Sequence, residues 1–215
     1  MPSPILRVKT FAPERIANYL EGMIRFLKIT LLLFASIQTS IFAQSTSSTK
    51  PGACQIGPGQ LEALLALPFM KFDQDQNGGW REVSNRGCKL EASLLIDAYL
   101  ADAPSEVSDL EKGDLYFHAG QLLAMSGQYN LAISHMLRSF NPRESSDTSL
   151  AWNTYVLATT AFLAKDKQRL LDARNRLASS RKTRENGINL NVVDGLLHCF
   201  DQPYAIAYGT ACRPK

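Results

Sequence analysis

Apolar residues recur along this chain at intervals of three and four, the spacing of helices buried on one face. Leu61, Leu64, Leu65 and Leu67 make a first short stripe, which Pro68 closes. The polar stretch K-F-D-Q-D-Q-N-G-G-W-R-E-V, residues 71–83, then reads as a loop that opens onto Trp80. Leu90, Leu94, Leu95, Ala98 and Tyr99 predict a helix over 87–102, stopped by Pro104. A helix over 105–127 carries Leu115, Phe117, Leu122 and Met125, with Gly113 as its candidate break. Residues 128–140 continue the period through Leu131, Ile133, Met136 and Leu137. Ser145, Ser146 and Asp147 read as an N-cap cluster for a helix over 148–165. A polar turn at Asp166 leads to a helix over 167–180 with Leu170, Leu171 and Leu177. The basic S-R-K-T-R-E-N-G stretch reads as a loop, 189–200 as a last clear helix, and 203–208 as a short helix or turn. No five-residue run alternates apolar and polar residues beside a hairpin turn, which is what a paired strand requires. The fold class is therefore all-α: about eight helices in antiparallel hairpins joined by short turns.

The N-terminus follows another pattern. Arg25 and Lys28 precede an apolar run over 29–37, broken only by Thr30 and Ser36, and small and polar residues lead on to Ala43. That order is the pattern of a secretory signal peptide. The run is too short for a spanning helix, which needs ~20 predominantly apolar residues. Cleavage is expected at Ala43–Gln44, leaving no stable membrane span, and no Cys follows the run to carry a lipid anchor. Met23 reads as the start, with 1–22 an upstream extension, 23–43 the signal peptide, 44–58 a flexible Ser/Thr/Gly/Pro-rich lead-in and 59–215 a single helical domain. The expected address is the periplasm or the exterior.

Export changes the meaning of the cysteines. All four, Cys54, Cys88, Cys199 and Cys212, follow the signal, and an even count in an exported chain reads as disulfides. Of the three possible pairings, proximity favours Cys54–Cys88 and Cys199–Cys212. No C-x-x-C spacing suggests a redox or zinc motif. Charge changes the picture less. The formal +3 comes from residues 1–43, and the remaining 18 basic and 18 acidic residues cancel. A neutral body offers no electrostatic handle for nucleic acid.

Internal repetition is clearest at Tyr116, Gly120, Leu123, Gly127, Tyr129, Ala132 and Met136. Small residues at Gly120 and Ala132, twelve apart, let two helices approach closely, and G-x-Y-x-x-A over 127–132 turns from one to the next. This unit resembles the tetratricopeptide (TPR) pattern, although Pro142 ends it early. A degenerate copy aligns 39 residues on, with Tyr155 on Tyr116, Thr159 on Gly120, Asp166 on Gly127 and Leu171 on Ala132. The resemblance implies a TPR-like α-solenoid. With the F-D-Q…G-G-W-R segment of residues 72–81 and Cys88, the layout resembles a group of exported TPR-like proteins of Gram-negative bacteria, which implies a periplasmic address and brings no activity with it. By the family's register the concave face would hold Asp114, Phe117, Gln121, Ala124 and Met125, then Asn153, Val156, Thr160 and Leu163. Phe117 and Val156 stand where a carboxylate clamp would carry amides, and no cation accompanies them. So apolar a face suits an apolar segment of a partner, or a neighbouring helix of the same chain.

Candidate chemistry is sparse. Asp73, Asp75, Asn77 and Gly78 match the first half of a calcium loop, but Ser84 replaces the twelfth-position Glu and Arg81 stands at the ninth. These three oxygen-bearing residues are weak metal candidates. The favoured reading is structural: a glycine turn with Trp80 buried and Arg81 paired with an acid. His118, His135 and His198 are scattered singly, and His118, one turn from Asp114, is expected to share a solvent-facing hydrogen bond with it. No cofactor motif is present. The basic residues Arg169, Arg174, Arg176, Arg181, Lys182 and Arg184 read as a solvated face. Together these features point to an exported, non-enzymatic helical-repeat protein that binds a protein or peptide in the envelope. An enzyme acting on cell-wall polymers is the alternative.

Overall fold

Pro58, whose missing N–H costs nothing at a helix start, opens α1 (Pro58–Leu65). The computed structural model describes residues 52, 54–145, 150–180 and 182–214. The signal peptide and the Ser146–Asp147 part of the expected N-cap lie outside them. A single π-helical turn, Met70–Gln74, follows α1. Then come α2 (Gly79–Asn85), α3 (Lys89–Ala101) and α4 (Asp109–Met125). The second half holds α5 (Tyr129–Arg138), α6 (Trp152–Leu163), α7 (Lys167–Ser179), α8 (Arg184–His198) and α9 (Tyr204–Ala207), closed by a 3-10 turn, Thr210–Cys212. Among the described residues the protein is all helical, with nine α-helices and no strand. From the π-turn onward each element packs on the next in sequence, while α1 packs on α3.

Local chemistry explains the boundaries, including those that differ from expectation. The stretch over 71–83 is not a loop: it winds into the π-turn and α2, and Gly79 lets the two meet. Gly79 has φ +52°, and a Cβ there would lie 1.9 Å from the Phe72 carbonyl oxygen. The fourth helix starts on a full capping box, with Ser108 and Glu111 each satisfying the other's backbone N–H. It runs unbroken through Gly113, where a Cβ would sit 3.4 Å from the Ser139 carbonyl oxygen of α5's C-cap. Thr183 caps the Asn186 N–H, so α8 begins at Arg184 and takes up half of the expected basic loop. The sixth helix starts at Trp152, later than the expected 148.

Three helical hairpins turn on a residue with positive φ: Gly87 (φ +90°), Gly127 (φ +78°) and Lys165 (φ 57°). After α4, Gly127 N–H donates to Ala124 O and Gln128 N–H to Leu123 O. After α6, Lys165 N–H donates to Phe162 O and Asp166 N–H to Ala161 O. The same C-cap geometry thus equates Lys165, not Asp166, with Gly127. That moves the second copy by one residue and places Ala158, not Thr159, on Gly120. Both sites are small and buried. At Gly120 a Cβ would fall 2.6 Å from Met136 Cγ and 3.0 Å from the Ala132 carbonyl oxygen. The close approach expected from Gly120 and Ala132 is therefore present.

Two buried clusters share α4. Leu115, Ala119 and Leu122 pack with Phe72, Trp80, Val83, Ile96 and Tyr99, and Phe72 stacks on Tyr99 at 3.8 Å. Phe117, Leu123 and Ala124 pack with Met136, Val156, Phe162, Leu170, Leu196 and Tyr204. Several residues of the expected stripes face outward: Leu90, Leu94, Leu131, Leu137 and Leu171 are exposed. On α3 the buried face is Ala92, Leu95, Ile96 and Tyr99. Both expected disulfides are formed, Cys54–Cys88 and Cys199–Cys212, with Cα separations of 5.4 and 5.9 Å. The first ties Cys54 and Ile56, assigned to the lead-in, against the core. Among the described residues no helix is long and apolar enough to cross a membrane.

Candidate functional site

The π-turn carries Asp73 into the core, where its residue is fully buried. A buried carboxylate must be answered by donors, and three surround it. Trp80 Nε1 donates to Oδ1 at 2.8 Å, His118 Nδ1 lies 2.8 Å from the same oxygen, and Gln74 Nε2 donates to Oδ2. Arg81 Nε donates to the Asp73 backbone carbonyl at 2.8 Å. Burial opposes the charge on Asp73. The hydrogen bond and charge of His118, the Trp80 N–H and Arg81 outweigh it and hold the carboxyl below its ordinary range.

This arrangement revises two expectations and leaves the weak metal candidates apart. Asp73, Asp75 and Asn77 do not converge: Asp75 Oδ2 lies 3.7 Å from Lys71 Nζ, and Asp75 Oδ1 accepts the Asn77 N–H. His118 turns to Asp73 instead of Asp114. Trp80 is buried as expected, but Arg81 bonds a carbonyl rather than an acid's side chain, and its guanidinium lies 4.1 Å over the Trp80 ring.

Around this centre lies a cleft of about 230 Å³, lined among others by Trp80, Arg81, Lys89, His118, Gln121 and Tyr208. Lys89 Nζ caps the end of α2 by donating to the Ser84 carbonyl and hydroxyl at 3.0 and 2.9 Å. Burial lowers the pKa of Lys89, and it lowers that of Arg81 against the opposing pull of Asp73 and Tyr208. The terminal guanidinium nitrogens of Arg81 and Nε2 of His118 make no hydrogen bond among the described residues. The cleft therefore offers two partly desolvated cations, a planar fork and an imidazole oriented by a buried carboxylate. Arg81 and Lys89 are donors of the kind that pair with a carboxylate or phosphate group.

The concave face expected to bind a partner is largely filled. Phe117 and Val156 are core residues: the Phe117 ring packs on Trp152 and Tyr155 of α6, and the C-terminal Tyr204 joins the same buried cluster. Tyr204 is fully buried against Phe162, its N–H donates to the Tyr129 hydroxyl at 3.2 Å, and Tyr208 interacts with the Tyr155 side chain. Ala124, Thr160 and Leu163 are buried too. Asn153 is committed to the loop after α5, exchanging hydrogen bonds of 2.8 and 2.9 Å with the Asn141 backbone. Of the five proposed contact residues, Asp114 and Gln121 line clefts, and the two clefts are different.

Cations missing from that face arrive from elsewhere: Arg81 and Lys89, on α2 and α3, come to lie beside Gln121. The G-G-W-R segment held the signal for this, but a one-dimensional pattern does not show which helix it packs against. In the basic stretch, Arg174 pairs with Asp194 at 2.7 Å and Arg169 with Asp166 at 3.1 Å. Arg181 lies outside the described residues. Compared with protein-family models, curated proteins and solved structures, this chain matches none.

Proposed function

We propose that this protein is an exported, non-enzymatic helical-repeat protein that binds a protein or peptide partner in the periplasm, and that the Trp80–His118 cleft receives an acidic group of that partner. One observation carries the reading: the fork of Arg81 rests on Trp80 with its terminal nitrogens unbonded among the described residues, in the same cleft as Lys89. Cations drawn partly out of water are costly unless an anion joins them. Two disulfides are compatible with an exported address and support it. The TPR resemblance adds that such hairpins present polypeptide-binding surfaces.

A binding test uses a short acetylated tri-glutamate peptide and its tri-glutamine counterpart, read by Trp80 fluorescence in a Trp152→Phe background. Saturable binding of the acidic peptide alone, lost in Arg81→Gln and Lys89→Gln, is expected. Equal responses to both peptides sink the reading.

The Asp73–His118 pair favours a second reading, an envelope enzyme acting on cell-wall polymers. A carboxylate-oriented imidazole at a cleft is the arrangement of a general base. Release of soluble fragments from purified peptidoglycan, abolished by His118→Asn, would move the assignment there.

A further inference from the structure

A second cleft, independent of the first, opens where the N-terminal half of α4 meets the end of α5 and the start of α6. Its volume is about 480 Å³, and Leu110, Gly113, Asp114, Phe140, Pro142 and Trp152 line it. Leu110 and Phe140 are exposed large apolar side chains, at 49% and 37%. The Trp152 indole N–H is already satisfied by the Ser139 carbonyl at 2.8 Å, so the ring serves as an apolar wall. Leu110, Gly113 and Asp114 sit at i, i+3 and i+4 and so share one face of α4. Gly113, lacking a side chain, leaves the floor between them open.

Asp114 is the polar residue of that face. Its carboxylate is half-buried and makes no hydrogen bond or ion pair with any described residue. Its neighbour His118 is already engaged by Asp73. Burial, reinforced by Asp73 and Glu111 and opposed by His118, pushes its carboxyl above the ordinary aspartate range. Asp109, in the first turn of α4, adds a second acidic group to the lining. Arg143 also lines the cleft but is exposed and forms no ion pair with either aspartate among the described residues.

We infer that this cleft binds a lysine or arginine side chain of a polypeptide, its alkyl stem against Leu110, Phe140 and Trp152 and its cationic head at Asp114. An apolar-walled slot with an unpaired carboxylate at Asp114 matches that side chain in both parts: the stem replaces water over apolar surface, and the cation restores a partner to the acid. A carboxylic ligand fits badly, since it would meet two acids. A purely apolar one leaves Asp114 desolvated and unpaired.

The test titrates the purified protein with acetyl-arginine amide and with acetyl-citrulline amide, its neutral isostere, read by the Trp152 indole and Gly113 amide signals in NMR. Saturable shifts with the arginine compound are expected, with the citrulline compound weaker by about tenfold or more, a difference of about 1.4 kcal/mol. Asp114→Asn should abolish the discrimination while the melting transition stays cooperative, and Arg143→Ala, removing a competing cation, should tighten binding. Equal binding of the two compounds, no saturable shift in the millimolar range, or unchanged discrimination in a folded Asp114→Asn variant overturns the proposal. The first cleft's reading is untouched by any of these outcomes, because Arg81 and Lys89 take no part in them.

Discussion

Nδ1 of His118 lies 2.8 Å from Oδ1 of Asp73, although 45 positions separate them in the chain. The contact joins the π-turn to the middle of α4, and the Trp80 indole completes it from α2. One buried carboxylate thus fixes three elements and sets the rim of the cleft.

Removing that carboxylate should be costly. Asp73→Ala leaves the Trp80 N–H and the His118 ring without their acceptor, and each orphaned group costs roughly 1–3 kcal/mol. Urea unfolding measures the loss; a change within error would mean that water replaces the carboxylate at no cost. The pH dependence has a definite sign. The folded-state pKa of Asp73 is depressed, so its contribution is complete above the ordinary value of 3.8 and is lost as pH falls through the lower folded value. Wild-type stability should therefore drop in that acid window, and Asp73→Asn should flatten this part of the profile.

Asp114 should behave in the opposite way. Its folded-state pKa is raised, chiefly by burial, so its ionised form weakens the fold progressively as pH rises above the ordinary value of 3.8. Asp114→Asn is expected to raise the melting midpoint at neutral pH and to change little in strong acid. Melting scans at both pH values check this, and a lower midpoint at pH 7 contradicts the assignment.

Trp80 is both a core residue and a wall of the cleft. Trp80→Ala should cost about 3–5 kcal/mol, the range for emptying a large aromatic site. Trp80→Phe keeps much of the apolar contact and loses the N–H to Asp73, so it should fall between alanine and wild type in denaturant midpoint. A phenylalanine variant no better than alanine would show that the hydrogen bond, not the ring, dominates.

Three glycines should rank by the space around them. Gly113→Ala places its Cβ at ordinary contact distance from Ser139 and should be tolerated. Gly120→Ala meets the Met136 side chain and the rigid Ala132 carbonyl, and should cost about 1–3 kcal/mol by overpacking. Gly79→Ala combines positive φ with a Cβ 1.9 Å from the Phe72 carbonyl oxygen and should be the worst of the three. Circular dichroism melts of the single variants decide the order.

The Cys199–Cys212 bridge pins the segment that covers the concave face. Replacing both with Ser should cost about 3 kcal/mol in the chain-entropy account of a loop this size. It should also speed proteolysis after Tyr204 and Tyr208, which mass spectrometry of a brief chymotrypsin digest would locate. Unchanged cleavage would mean that Tyr204's burial holds the segment without the bridge.

What the sequence determined by itself was local. Periodicity pointed to the all-α class and the order of the hairpins, cysteine proximity favoured the two disulfides that form, and Gly120 with Ala132 marked a close helix crossing. Each depends on residues near one another in the chain, whose types limit the backbone directly. Where a local rule was broken, the reading slipped: Lys165 takes the left-handed conformation usually left to glycine, which shifted the second copy by one residue. Its Nζ donates to the Phe200 carbonyl at 2.7 Å and lies 4.5 Å over the Phe162 ring, contacts that favour lysine there. Only the tertiary structure decided the sites. Asp73 reads locally as a weak metal candidate in a glycine turn and becomes a buried acceptor once α4 delivers His118. Phe117 and Val156 read as groove and become core once α6 and the C-terminal Tyr204 pack into one cluster with them. The deciding partner of Asp73 lies 45 residues away, and in both cases the approach depends on how whole helices pack rather than on any spacing along the chain.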